Sequence, residues 1–205
     1  MGMTQEYLRW MDDIIDQTFV NKDSLSMLEL GNQIFEDGTV AKNFFTDRGY
    51  NHVSVDLNGE DDSLVKDLTV ENDFVELYDK FDIVTNFGTT EHVEPFESQY
   101  TAFKIIHNCL KVGGIAINLN PDVNALDERG KWRKHCEYYY SSVFYEKLAD
   151  ANNYELLRNE EINGNRATCY VKTQEEFTAG RQLFLDEIAI REGGRWRGIA
   201  RNVRV

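Results

Sequence analysis

The chain has 205 residues, 41% of them hydrophobic and 28% charged, with a formal net charge of −14. This length and composition describe one folded domain with a substantial core and exclude a disordered chain. The negative charge argues against bulk binding to nucleic acid, because neutralising phosphates needs clustered Lys and Arg.

The start of the chain has no apolar run of signal-peptide type, and no stretch approaches bilayer-spanning length. Gly2 also lacks the downstream hydroxyl residue that myristoylation requires. These features predict a cytoplasmic protein with no membrane partner. Cys109, Cys136 and Cys169 are odd in number and form no CxxC pair. They are expected to be buried thiols, and zinc is not indicated.

In chain order, Thr4 caps a predicted amphipathic helix over residues 4–19, on which Tyr7, Leu8, Met11, Ile14, Ile15 and Phe19 recur at helical spacing. A short apolar strand, 26–30, follows. A helix over 39–48 then ends at Gly49, placed as a left-handed terminator. Strands are expected at 52–57 and, more weakly, at 63–68, with a helix near 70–78. The strongest strand signal is 81–87. Pro95 is expected to open a helix striped by Phe96, Tyr100, Phe103, Ile106 and Leu110. A Gly113-Gly114 turn leads into a strand over 115–119, ended by Pro121.

Strand and helix alternate to this point, which implies a parallel sheet with right-handed crossovers. The ending differs. A helix over 142–152 precedes strands at 154–160 and 166–172, joined by Asn163-Gly164, a strong hairpin signal. The predicted class is therefore α/β: a Rossmann-like doubly wound sheet, mostly parallel, with an antiparallel last strand and helices on both faces. The expected organisation is one domain over 1–205. It comprises an N-terminal helix (1–22), a core (25–173), and a C-terminal helix with an Arg-rich tail (174–205).

That tail holds Arg191, Arg195, Arg197, Arg201 and Arg204 against the single acid Glu192. It is read as a docking surface for the protein's own acidic face or a second subunit, with a phosphate or carboxylate clamp as the alternative. The amphipathic first helix is equally suited to a homodimer.

Acidic or glycine-bearing patches end successive predicted strands: Met27 to Asn32, Val53 to Leu57, Val65 to Thr69 and Phe81 to Gly88. In an open parallel sheet a ligand lies beyond the carboxyl ends of the strands, so the patches describe one crevice. No GxGxxG is present, which argues against a dinucleotide, whose pyrophosphate needs close backbone approach at a helix start.

The order of these features over residues 25–173 resembles the class I S-adenosylmethionine-dependent methyltransferases, most closely the bacterial small-molecule enzymes. The resemblance implies S-adenosylmethionine as cofactor, with Glu29, Gly31, Asn32, Asp56, Leu57, Asp67, Leu68, Asn86, Phe87 and Gly88 around it. Asp56 would accept from the ribose hydroxyls while Leu57 packs on adenine. Asp67 would accept from the adenine amine beside the Leu68 backbone, and Glu29 and the 86–88 carbonyls would face the ammonium and sulfonium. The chain departs from the family in its first loop, Gly31-Asn32-Gln33-Ile34, which lacks further glycines.

The expected activity is methyl transfer to oxygen or nitrogen of a small molecule. The alternatives are a cofactor-binding or assembly protein without turnover and, behind it, an RNA methyltransferase. Thr89-Thr90-Glu91-His92 follows the fourth strand beside the expected methyl group, making His92 the general-base candidate and Glu91 its orienting or substrate-binding neighbour. His135 and Tyr139, in the aromatic cluster after the fifth strand, are the substrate candidates, while His52 and His107 are expected to be structural.

No metal is expected. The adjacent Glu-His resembles the metal-binding segment of some magnesium-dependent methyltransferases, but those carry another Glu three residues earlier, where this chain has Gly88. Any ion held would take oxygen from Glu91 and Glu137.

Overall fold

The computed structural model describes residues 4–126, 135–192 and 195–198. Helix α1 (Gln5–Thr18) starts on the Thr4 side chain, which accepts from the Tyr7 amide, and it buries Tyr7, Leu8, Met11, Ile14 and Ile15. Strand β1 (Ser26–Leu30), helix α2 (Ala41–Asp47) and strand β2 (Asn51–Asp56) follow. Gly49 beyond α2 has φ +90°, the left-handed terminator that the sequence requires.

Strand β3 (Leu64–Val65) is only two residues long, against the six expected, and both of its side chains are exposed. The segment Glu71–Leu77 is a 3-10 helix, while β4 (Phe81–Phe87) has the predicted bounds. Helix α3 (Ser98–Cys109) starts three residues beyond Pro95, whose carbonyl accepts from the Ser98 amide at 2.8 Å. Pro95 thus precedes the helix without opening it. Strand β5 (Leu110–Pro121) absorbs the Gly113-Gly114 turn, and Leu110 belongs to this strand and not to the α3 stripe. Strand β6 (Tyr138–Tyr139) and helix α4 (Ser142–Asn152) lead to β7 (Glu155–Ile162) and β8 (Asn165–Val171). Both residues of the connecting turn, Asn163 (φ 52°) and Gly164 (φ 80°), are left-handed, as a tight hairpin demands.

The main sheet has the order β3-β2-β1-β4-β5-β8-β7; β8 runs antiparallel to both of its neighbours, and the pairs from β3 through β5 are parallel. Side chains alternate across it with period two. Met27, Ile83, Phe87, Ile115, Ile117 and Cys169 pack against α1 and α2. Leu28, Leu30, Val84, Ala116 and Tyr170 pack against α3, α4 and helix α5 (Arg181–Glu187). All three cysteines are buried.

The C-terminal segment is more than a helix and tail. Strand β9 (Ala189–Glu192) pairs with β6 and with β10 (Arg195–Gly198) in a second, three-stranded sheet. Arg191, Arg195 and Arg197 therefore lie on a hairpin, while Arg201 and Arg204, like Trp132, Arg133 and Lys134, lie outside the described residues. No helix among the described residues is long and apolar enough to cross a membrane.

Just beyond β5, Asp122 is fully buried and forms an ion pair with Arg166 of β8, whose Nε donates to its Oδ2 at 2.6 Å. Removing one partner of such a pair leaves a buried charge without compensation. Asp122→Ala is expected to lower unfolding stability by about 3 kcal/mol or more, read as a shifted urea midpoint at unchanged slope.

Candidate functional site

A cavity of about 460 Å³ opens beyond the carboxyl ends of β1, β2 and β4. Gly31, Asn32, Asp56, Leu57, Asp67, Leu68, Gly88 and His92 all line it, so four separate patches of the sequence meet on one wall. Gln33, Val55, Lys66, Thr69, Thr89, Val93 and Glu94 complete the lining. Gln33, Val55, Lys66, Thr69 and Thr89 lie within segments the sequence singled out without giving them a role, whereas Val93 and Glu94, within two residues of His92, were missed.

The loop after β1 is held from two sides. The Gly31 amide donates to the Val55 carbonyl (2.8 Å) and the Asn32 amide to Asp56 Oδ2 (2.9 Å). Asp56 Oδ1 also accepts from the Asn58 amide at 3.1 Å, which fixes the carboxylate at the end of β2. At Gly31, φ is +81° and a Cβ would meet Thr89 Oγ1 at 2.6 Å, so the loops after β1 and β4 approach as closely as glycine permits. Asp67 caps its own turn by accepting from the Thr69 amide (2.8 Å). Leu57 is 69% exposed on the wall whereas Leu68 is buried.

Glu29, Asn86, Phe87, Glu91, His135 and Tyr139 are not on this wall. Phe87 packs toward α1 and α2, and Tyr139 is fully buried on β6. Glu29 faces the α1 side of the sheet, where its Oε2 lies 3.4 Å from His52 Nε2, and the His52 ring stacks on Phe45. Burial raises the Glu29 carboxyl to about 8, against a lowering backbone hydrogen bond from Gln33, with Asp56 adding to the rise. Burial, assisted by Lys42, depresses His52 to about 4. Near neutral pH this is an uncharged pair behind the loop, not an anion facing a ligand.

Asn86 points into a buried polar seam between the sheet and α3. Its Nδ2 lies 2.9 Å from Thr90 Oγ1, 3.0 Å from Asn118 Oδ1 and 3.2 Å from Asn120 Oδ1, while its own Oδ1 accepts from the Thr90 amide. Gln99 Nε2 donates to the Thr90 and Val93 carbonyls, the Tyr140 hydroxyl donates to Gln99 Oε1, and the Tyr145 hydroxyl donates to Asn120 Oδ1. The seam pins the 3-10 turn Thr90–His92 to the sheet.

Asn120 Nδ2 donates to Glu91 Oε2 at 2.8 Å, whereas Oε1 of this fully buried side chain has no hydrogen-bond partner among the described residues. Burial raises the Glu91 carboxyl to about 7. His92 is exposed at the cavity edge, its ring centroid 5.1 Å from that of His135. Desolvation, then each ring's charged neighbours, lowers both histidines, with His135 acting on His92. His107, by contrast, is buried between the Tyr154 hydroxyl and the Glu175 carbonyl, a structural role.

A strand-end crevice with one carboxylate fixed at the second strand is the ligand site of an open α/β sheet. Residues 4–159 match the family model described as methyltransferase domain. The chain belongs to that family, and its sheet is that of the class I S-adenosylmethionine-dependent methyltransferases.

Among solved structures, a SAM-dependent methyltransferase from Methanosarcina mazei is 13% identical, with TM-score 0.57 over 85% of this chain and 100% of that one. One from Clostridium acetobutylicum is 15% identical, with TM-score 0.57 over 82% and 92%. The 1,6-didemethyltoxoflavin-N1-methyltransferase of Burkholderia thailandensis, solved with that compound and S-adenosylhomocysteine, is 12% identical, with TM-score 0.55 over 85% and 92%. No curated protein sequence matches the chain significantly.

The Glu29 environment makes a pH prediction. An unfolded Glu ionises near 4.5 but the folded one near 8, so between these values the native state holds the extra proton and stability falls as pH rises. Glu29→Gln removes that dependence. Its melting temperature relative to wild type is expected to rise steadily from pH 5 to pH 8, as read by differential scanning calorimetry.

Proposed function

We propose that this protein transfers a methyl group from S-adenosylmethionine to oxygen or nitrogen of a small molecule. The observation that carries the reading is the meeting of Gly31, Asp56, Leu57, Asp67, Leu68 and His92 on the wall of one cavity. The Asp56 carboxylate spends one lone pair of each oxygen on a backbone amide and keeps the others for a ribose diol. Exposed Leu57 offers an apolar face to adenine, and Asp67 beside Leu68 an acceptor for its amine. Gly31 and Gly88 bring the backbone close to the amino-acid arm without a side chain in the way.

Bound there, S-adenosylmethionine supplies a methyl carbon already activated by sulfonium. The protein's part is alignment, exclusion of water and custody of the acceptor's proton. His92 is the wall group suited to that custody, because its depressed basicity leaves a neutral nitrogen near neutral pH. Glu91 is too buried to touch an acceptor and serves by holding the turn. A net charge of −14 favours a small acceptor over a nucleic acid. The similar Burkholderia structure holds 1,6-didemethyltoxoflavin beside S-adenosylhomocysteine, in keeping with this.

Titration calorimetry with S-adenosylhomocysteine tests the reading. One site per chain is expected, and Asp56→Asn should weaken it by about tenfold or more, as expected for loss of a hydrogen bond to a charged group. No binding at millimolar ligand would remove the enzyme reading, and binding without turnover over a broad acceptor panel would favour a non-catalytic cofactor-binding protein. With an acceptor in hand, His92→Ala is expected to cut methyl transfer by about a hundredfold while cofactor affinity stays within a few-fold.

A further inference from the structure

Glu91, His92 and His135 come from two distant parts of the chain, yet a carboxylate oxygen and a ring nitrogen from each histidine lie within 4.8 Å of one another. We infer that these three side chains form a binding site for a divalent transition-metal ion at the edge of the cavity. Their chemistry supports this independently of any kinship. Two imidazoles side by side repel if both are charged but become good ligands when neutral. Asn120 engages Glu91 Oε2 from behind, while Oε1 is buried with no hydrogen-bond partner among the described residues. A buried carboxylate oxygen in that condition calls for a proton or a cation.

From the sequence no metal was expected, and any ion held was to take oxygen from Glu91 and Glu137. The structure places His135 in the cluster, and this changes the expected ion. Two nitrogens and one oxygen match zinc, cobalt, nickel or iron better than magnesium or calcium, which prefer oxygen throughout. Metal–ligand bonds here run to about 2.0–2.2 Å. Closing the trio onto one ion therefore requires modest rotations of the two exposed histidines. Three protein ligands leave at least one position open.

The ion's function rests on the methyltransferase reading. From the His92 edge, the open position could take an oxygen of the acceptor, lowering its affinity for its proton. His92 then serves as a ligand, and the ion takes over the proton's custody. Asn120 is the positioning residue, since its amide fixes which Glu91 oxygen turns toward the histidines.

The test uses full-length protein without a histidine tag, stripped with a chelator and titrated with Zn²⁺, Co²⁺ and Mg²⁺. One Zn²⁺ per chain is expected, bound well over tenfold tighter than Mg²⁺, together with a visible Co²⁺ absorption band. His135→Ala, at an exposed position, should abolish the band and weaken Zn²⁺ by at least about tenfold, and Asn120→Ala should weaken it by about 10–100-fold. S-adenosylhomocysteine affinity, measured on the same samples, should be unchanged in His135→Ala. No Zn²⁺ binding at millimolar ion, equal affinity for Mg²⁺, or unaltered binding in His135→Ala would overturn the site. Loss of S-adenosylhomocysteine binding in the unmodified protein would instead count against the cofactor reading.

Discussion

The buried amides of Asn86, Asn118 and Asn120 are the constraint on which the site depends. Three polar side chains on adjacent strands, all pointing to the same face of the sheet, must satisfy one another or carry a desolvation cost. Asn86 and Asn120 do so by recruiting Thr90, and with it the turn that follows β4, while Asn118 accepts from Asn86. That turn then has one placement. Glu91 points inward to Asn120, His92 stands at the cavity edge, and Thr89 meets the glycine of the first loop. An apolar substitute at Asn86 could fill the space but would remove the acceptor of the Thr90 amide and the donor to Asn118.

Around that seam the cofactor side and the chemical side are held by different physics. The first loop is held by backbone hydrogen bonds to β2 and by the close approach at Gly31. The reacting side is held by side-chain amides and hydroxyls in low dielectric, where partnered groups are rigid and unpartnered ones costly. Glu29 and Glu91 illustrate the difference. Both are buried acids with raised affinity for protons, but Glu29 finds an imidazole behind the loop whereas Glu91 lies beside two histidines at the cavity.

Much of the fold was legible because local signals agreed. Phe81, Ile83, Val84 and Phe87 give β4 its apolar, β-prone pattern, and Asn163-Gly164 supplies two left-handed residues where the hairpin turns. The failures have physical causes. Strand β3 shrinks to two residues because its side chains are exposed and no packing extends it. The β9–β10 hairpin was unreadable because Arg-rich strands carry no period-two apolar pattern, and their pairing partner, β6, lies about fifty residues away. Of the site, the strand-end residues were legible from topology alone. Glu29 and Asn86 were not, since side-chain alternation turned them away from the crevice. The meeting of His135 with His92 depends on where the chain re-enters the fold before β6, which spacing does not encode.

The central claim is that the strand-end crevice holds a nucleoside-bearing methyl donor with His92 at its reacting end. A crystal structure with S-adenosylhomocysteine tests it most directly. The account predicts ribose on Asp56, adenine between Leu57 and Leu68, and sulfur facing His92. A nucleoside bound elsewhere, or sulfur turned away from His92, would contradict it.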